Sequence, residues 1–185
     1  MKTILHLFRW YTPLSLRNTY LHRLHQAAAR AFGTPESHLS GRSYRERLQN
    51  FARLTRSWAE NVLTQPHRSA LVRDRLFEEA YRLGSGLRAE AELQSRREVC
   101  LMIERVYAVL GIRCRAQDNI TLHISSCSFS RHYTADTCRL MCALDEGLVA
   151  GLSDGGTLVF VRRFTEGHPY CEATLRFPED EPCRG

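Results

Sequence analysis

A chain of 185 residues is long enough for one well-packed domain, with or without an appended helical layer, and too short for two of ordinary size. Its 43% hydrophobic and 25% charged residues exclude long disordered tracts, and no stretch nears the roughly 20 apolar residues that a bilayer span needs. The formal charge of +6 is unevenly placed: residues 1–116 carry 20 basic against 10 acidic side chains, residues 117–185 carry 6 against 10. All but one of the 26 basic residues are arginine, scattered along helices rather than clustered or interleaved with aromatics, so nucleic acid is not the expected partner.

The amino terminus, MKTILHLFRWYTPLSLRN, has a short apolar run broken by His6 and Arg9, with no small-residue cleavage site after it. The sequence therefore predicts a cytoplasmic protein without a membrane partner. In that compartment seven cysteines, an odd number, read as buried thiols, metal ligands or reactive groups rather than a disulfide framework.

Residues 1 to about 110 read as helices. In SLRNTYLHRLHQAAARAFG the stripe is Leu21, Leu24, Ala28 and Phe32, and Gly33 is a C-terminal stop. In SYRERLQNFARLTRSWAENVL, Ser43 and Glu46 form a capping box ahead of Tyr44, Leu48, Phe51, Thr55, Trp58 and Val62. Residues 67–111 give two further helices, with the GSG at 84–86 read as a break and Gly111 as the end of the second.

The period then changes. GIRCRA and NITLHISS read as strands, TADTCRLMCALDEGLVAGL as a helix over 134–151, and TLVFVRRF and YCEATLRF as a hairpin joined by TEGHP. In the last strand Cys171, Ala173, Leu175 and Phe177 point one way. The predicted fold class is α+β: a helical layer (1–110) packed on a small antiparallel sheet with one crossing helix, β-β-α-β-β (111–185), the two forming one cooperative unit.

Several positions invite chemistry. Cys138, Met141, Cys142 and Asp145 fall at i, i+3, i+4 and i+7, continued by Val149 and Leu152, which places a carboxylate on a stripe of apolar and sulfur side chains. Asp145 must reach solvent, meet a partner, ligate a metal or take up a proton; alternatively Leu140, Leu144 and Leu148 form the core and Asp145 sits at the edge. Cys127, just after a strand, is a thiolate candidate with Arg131, His132 or His123 to lower its pKa, while each thiol taken alone reads first as a space-filler. Cys127, Cys138, Cys142 and Cys171 could hold zinc or an iron–sulfur cluster, but their spacing lacks paired C-x2-C knuckles, so no cofactor is expected. His123 and His168 are acid–base candidates, and Arg162 or Arg163 must face the core side, where an arginine suits a carboxylate-bearing ligand.

The segments SSCSF (125–129), MCALDEGL (141–148) and EGHPYCEATLRF (166–177) resemble the L-2-amino-thiazoline-4-carboxylic acid hydrolase family, with an outline similar to vinyl-reductase-type ligand-binding domains. Cys127 matches the family's turn cysteine, Cys142 and Asp145 its helix pair, Gly167 its turn glycine and Cys171 its hairpin cysteine; Ser128 replaces a proline and His168 an acidic residue. The resemblance implies a hydrolase opening a small sulfur- and nitrogen-containing ring by water addition, with Cys127, Cys142, Asp145 and Cys171 catalytic and Arg162, Arg163 and His168 binding substrate. The other reading it implies is a non-catalytic small-molecule or metal-binding sensor. The expected partner is thus a small molecule, with a homo-oligomer left open.

Overall fold

The protein is described by a computed structural model over residues 13–36, 38–118 and 120–180. The amino-terminal segment on which the cytoplasmic expectation partly rested, residues 1–12, lies outside the described residues, as does Cys183. Among the described residues no helix is long and apolar enough to cross a membrane.

Among the described residues four helices come first: α1 (Leu14–Phe32), α2 (Tyr44–Leu63), α3 (Pro66–Ala91) and α4 (Arg96–Val109). Helix α1 buries Leu21, Leu24, Ala28 and Phe32 and ends where Gly33 turns left-handed, φ 68°, so that the N–H groups of Gly33 and Thr34 take up the carbonyls of Arg30 and Ala29. Helix α2 starts as its sequence predicts, the Ser43 hydroxyl accepting the Glu46 N–H at 3.2 Å. The reciprocal half of the box goes elsewhere, however: the Glu46 carboxylate accepts the Arg42 N–H at 2.7 Å. The full capping box belongs to Ser95 and Glu98 at the head of α4.

The expected break at Gly84–Gly86 is absent. Helix α3 runs unbroken for 26 residues because Gly84 serves a crossing and not a turn. A Cβ on Gly84 would stand 2.3 Å from the Leu148 carbonyl oxygen, and one on Gly151 would stand 2.3 Å from that of Tyr81. Glycine in mid-helix costs about 1 kcal/mol relative to alanine, and here it lets two backbones touch.

The carboxy-terminal part follows as β1 (Ile112–Gln117), β2 (Thr121–Cys127), α5 (Ala135–Leu152), β3 (Thr157–Arg162) and β4 (Cys171–Arg176). The fold is α+β, with five helices and one antiparallel sheet among the described residues, the strands in the order β1-β2-β4-β3. Its inner face is set by the pairs Cys114–Ile124, Ala116–Leu122, Leu122–Ala173, Ile124–Cys171 and Leu158–Leu175. Cys171, Ala173, Leu175 and Phe177 are buried as the alternation predicts.

Helix α5 lies between α3 and this face. Both of the stripes weighed for it are buried: Leu140, Leu144 and Leu148 on one, Met141, Cys142, Val149 and Leu152 on the other. Packed from two sides, it has no solvent face to speak of along its middle turns. One hydrophobic cluster runs through both halves of the chain, from Leu21 of α1 to Phe177 after β4.

Candidate functional site

Two β-bulges decide what reaches the interior. Along β2, Leu122 and Ile124 point inward, so strict alternation would turn Cys127 outward. The register slips instead: Cys114 pairs with Ile124, but Arg113 pairs with Ser126 and Ile112 with Cys127, which leaves Ser125 as the extra residue. Parity reverses, and Cys127 joins the buried Ile112 on the inner side.

The β3–β4 hairpin repeats the device. Phe160 pairs with Ala173 while Arg162 pairs with Glu172, so Val161 is the extra residue. Arg162 is thereby sent outward, where its guanidinium hydrogen-bonds the Tyr170 hydroxyl and lies 5.4 Å from that ring's centre. Arg163 turns in: its side chain is 17% exposed, sits over the Phe160 ring at 5.0 Å and meets the Glu166 carboxylate at 3.5 Å. The short 3-10 turn that follows, Phe164–Glu166, packs against α5. From it the Phe164 N–H donates to the Cys171 sulfur at 3.2 Å. His168 is exposed in the connection beyond Gly167, and His123 packs against Tyr170 on the outer side, ring centres 4.9 Å apart.

Helix α5 supplies the other side of the cluster. Thr134 caps it by accepting the Thr137 N–H at 3.2 Å, which sets the phase that puts Cys138 one turn before Cys142 and Asp145 a turn further on. Cys142 is buried and Cys138 partly exposed. The field of Asp145 reaches Cys114, Cys127, Cys142 and Cys171, and that of Cys138 reaches Cys171 and Asp145. Asp145 thus bears electrostatically on Cys127, Cys142 and Cys171, and Arg163 bears on Asp145, Cys142 and Cys171.

The electrostatics separate these groups. Burial pushes the thiols of Cys114 and Cys127 up to about 12 and that of Cys171 to about 11, which keeps them protonated and poorly nucleophilic. Asp145 keeps some accessible surface, yet protein packs around its carboxyl closely enough that burial pushes it up to about 7. The Tyr107 hydroxyl opposes that rise, though it has no partner at hydrogen-bonding geometry among the described residues. Cys138 goes the other way: the Cys142 thiol one turn on, then the Thr165 hydroxyl and the Arg163 charge, favour its thiolate, while Cys142 is held protonated. No ion pair joins Asp145 to Arg162 or Arg163 among the described residues; the acidic partner of Arg163 is Glu166.

Three buried polar atoms, of residues that bear on these groups, have no hydrogen-bond partner among the described residues: Tyr107 Oη, Arg163 Nε and Thr165 Oγ1. Arg163 was a candidate from the sequence, whereas Tyr107, Thr165 and Cys114 were not. Cys114 could have been found by alternation with Ile112; Thr165 carries no signal at all. Among the described residues no group of three or more His, Cys, Asp or Glu is placed to hold a metal ion, so Cys127, Cys138, Cys142 and Cys171 do not fit a zinc or iron–sulfur ligand set. Two surface recesses, of about 190 Å³ beside Arg96, Ser153 and Phe177 and about 280 Å³ beside Phe77 and Tyr81, both lie away from the cluster.

No family model matches the chain, and no curated protein matches it. Among solved structures it is similar to a trafficking protein particle complex subunit 3 from Naegleria fowleri covalently bound to palmitic acid, at 14% identity and a TM-score of 0.42, over 68% of this chain and 93% of that one. So distant a likeness says nothing of what this chain does. The resemblance drawn from SSCSF, MCALDEGL and EGHPYCEATLRF is corrected by the absence of any family or curated match: a thiazoline hydrolase is not among the proteins this chain is similar to. Those segments are short runs of cysteine, glycine and alternating apolar residues, which the packing of a strand and a buried helix requires whatever the chemistry.

Proposed function

We propose that the protein is a non-catalytic sensing domain that receives a small reactive molecule at the thiol cluster of α5 and the β3–β4 hairpin. The observation that carries this reading is the division of labour between neighbouring sulfurs. Cys138 is partly exposed and favoured as thiolate, whereas Cys142 and Cys171, on which it bears, are held protonated. A thiolate is the nucleophilic form, so one sulfur is primed and the rest are quiet.

Iodoacetamide tests it. Brief alkylation of the native protein at pH 7, mapped by peptide mass spectrometry, is expected to label Cys138 first, and faster than the same residue in the urea-unfolded chain. Labelling of Cys138 no faster than in the unfolded chain would sink the reading.

A further inference from the structure

The geometry points to Cys138 and Cys142 as a hydroperoxide-responsive pair that closes reversibly into a disulfide within α5, with Arg163 and Thr165 as the groups that receive the departing oxygen. This names the input of the sensing site proposed above and rests on that reading.

The placement is specific. Cys138 stands in the second turn of α5, partly exposed, and Cys142 lies directly behind it, buried, at i+4 on the same face. The Phe164–Glu166 turn packs on this part of the helix and carries Thr165, preceded by Arg163, whose inward course is set by the Val161 bulge. Arg163 Nε and Thr165 Oγ1 are buried donors with no partner at hydrogen-bonding geometry among the described residues. The two groups bear on the sulfurs themselves, Thr165 on Cys138 and Arg163 on Cys142, a placement that suits a step in which negative charge appears on oxygen next to sulfur.

The chemistry balances. The Cys138 thiolate attacks one oxygen of hydrogen peroxide, the O–O bond breaks, and the sulfur leaves as sulfenic acid while the other oxygen departs as hydroxide. That hydroxide takes up the proton that Cys138 released on ionising. The Cys142 thiol then attacks the sulfenic sulfur, the S–O bond breaks, and a second water leaves. Two thiols are oxidised to one disulfide and one peroxide is reduced to two waters.

The helix must give slightly for the bond to close. Side chains four apart on a helix have Cβ atoms about 5–6 Å apart, against about 3.5–4.5 Å in a disulfide. The strain falls near the helix's first turns, which Thr134 caps and which Asp136 and Arg139 tie to the hairpin through Glu166, Arg139 contacting both carboxylates at 2.9 Å. A strained disulfide is the readily reduced kind, as a reversible switch requires. Its closure would loosen this tie and move the start of α5 against the hairpin.

Arg139 lies between the two cysteines, which makes the bond easy to detect: trypsin separates residues 132–139 from 140–162 unless the disulfide joins them. The full-length protein is treated at pH 7 with a slight excess of hydrogen peroxide, alkylated and digested without reductant. The expected product is the joined pair 132–139/140–162, two hydrogens lighter than the separate peptides together and released by dithiothreitol. In Cys142→Ser the reaction should stop at Cys138, trapped as its dimedone adduct, and Arg163→Gln should slow it about tenfold. The wild-type digest needs no variant to fold: oxidation of another cysteine first, or of Cys138 without the joined peptides, overturns the proposal. If Cys138 is quick toward iodoacetamide yet yields no joined peptides, the pair fails while the sensing site stands.

Discussion

Gly147 of α5 and Phe77 of α3 meet backbone to backbone: a Cβ built on Gly147 would stand 2.1 Å from the Phe77 carbonyl oxygen. That contact, with those of Gly84 and Gly151, fixes how far α5 sinks toward α3 and hence where Cys138, Cys142 and Asp145 stand against the sheet.

Gly147→Ala should accordingly cost about 3 kcal/mol, because the methyl has only backbone to push against. Gly86→Ala, with nothing within 4 Å of its Cβ position, should be neutral or gain up to about 1 kcal/mol from helix propensity. Urea unfolding of both variants checks this; equal effects would show that the crossing is not sterically set.

Asp145 makes stability depend on pH. Its folded-state pKa of about 7 lies above the 3.8 of an ordinary aspartate, so between those values the folded protein holds a proton that the unfolded chain has released. The contribution is full below about pH 4, declines as pH rises and is gone above about pH 7, a loss of up to about 4 kcal/mol. In Asp145→Asn that slope should flatten, leaving the variant more stable than the wild type at pH 8 and near it at pH 4.5. Were Asp145 instead the counter-charge of a buried arginine, the variant would be the less stable at pH 8, and paired urea titrations decide between the two.

Deleting Ser125 removes the extra residue of the first bulge and restores strict alternation. Cys127 should then face outward, react with Ellman's reagent in the native protein, and leave the fold weaker by on the order of 2 kcal/mol. A Cys127 as protected as before would mean that the bulge does not set its direction.

Ser95→Ala should cost about 1–2 kcal/mol and Ser43→Ala about half as much. Ser95 takes part in a closed capping box and also donates to the Glu98 carboxylate at 3.0 Å, while the Glu46 carboxylate leaves Ser43 for the Arg42 N–H. Denaturant midpoints of the two variants measure the difference.

Periodicity in the chain was enough to place the four described strands, the capped start of α2, the helix that became α5, the glycine stops at Gly33 and Gly111, and the α+β order of the described residues. These features depend on a residue and its neighbours three or four positions away, or two in a strand, so they are written locally. The inward set Cys171, Ala173, Leu175 and Phe177 was legible for the same reason, as was the gathering of Cys138, Cys142 and Asp145 on one face of a helix.

What the tertiary structure alone decided is which of these reach one another. A bulge is an extra residue counted against a partner strand, and the partner of Ser125 or Val161 is not visible in its own segment, so the inward turns of Cys127 and Arg163 could not be read along the chain. A glycine in a helix signals a break or a close crossing depending on a helix about sixty residues away, which is why Gly84 misled. The two stripes of α5 looked like rivals because a surface helix buries one face, whereas a helix held between α3 and a sheet buries both. The ionisation of Cys138 and Asp145 follows from that same enclosure, since desolvation and neighbouring dipoles are properties of surroundings rather than of residues.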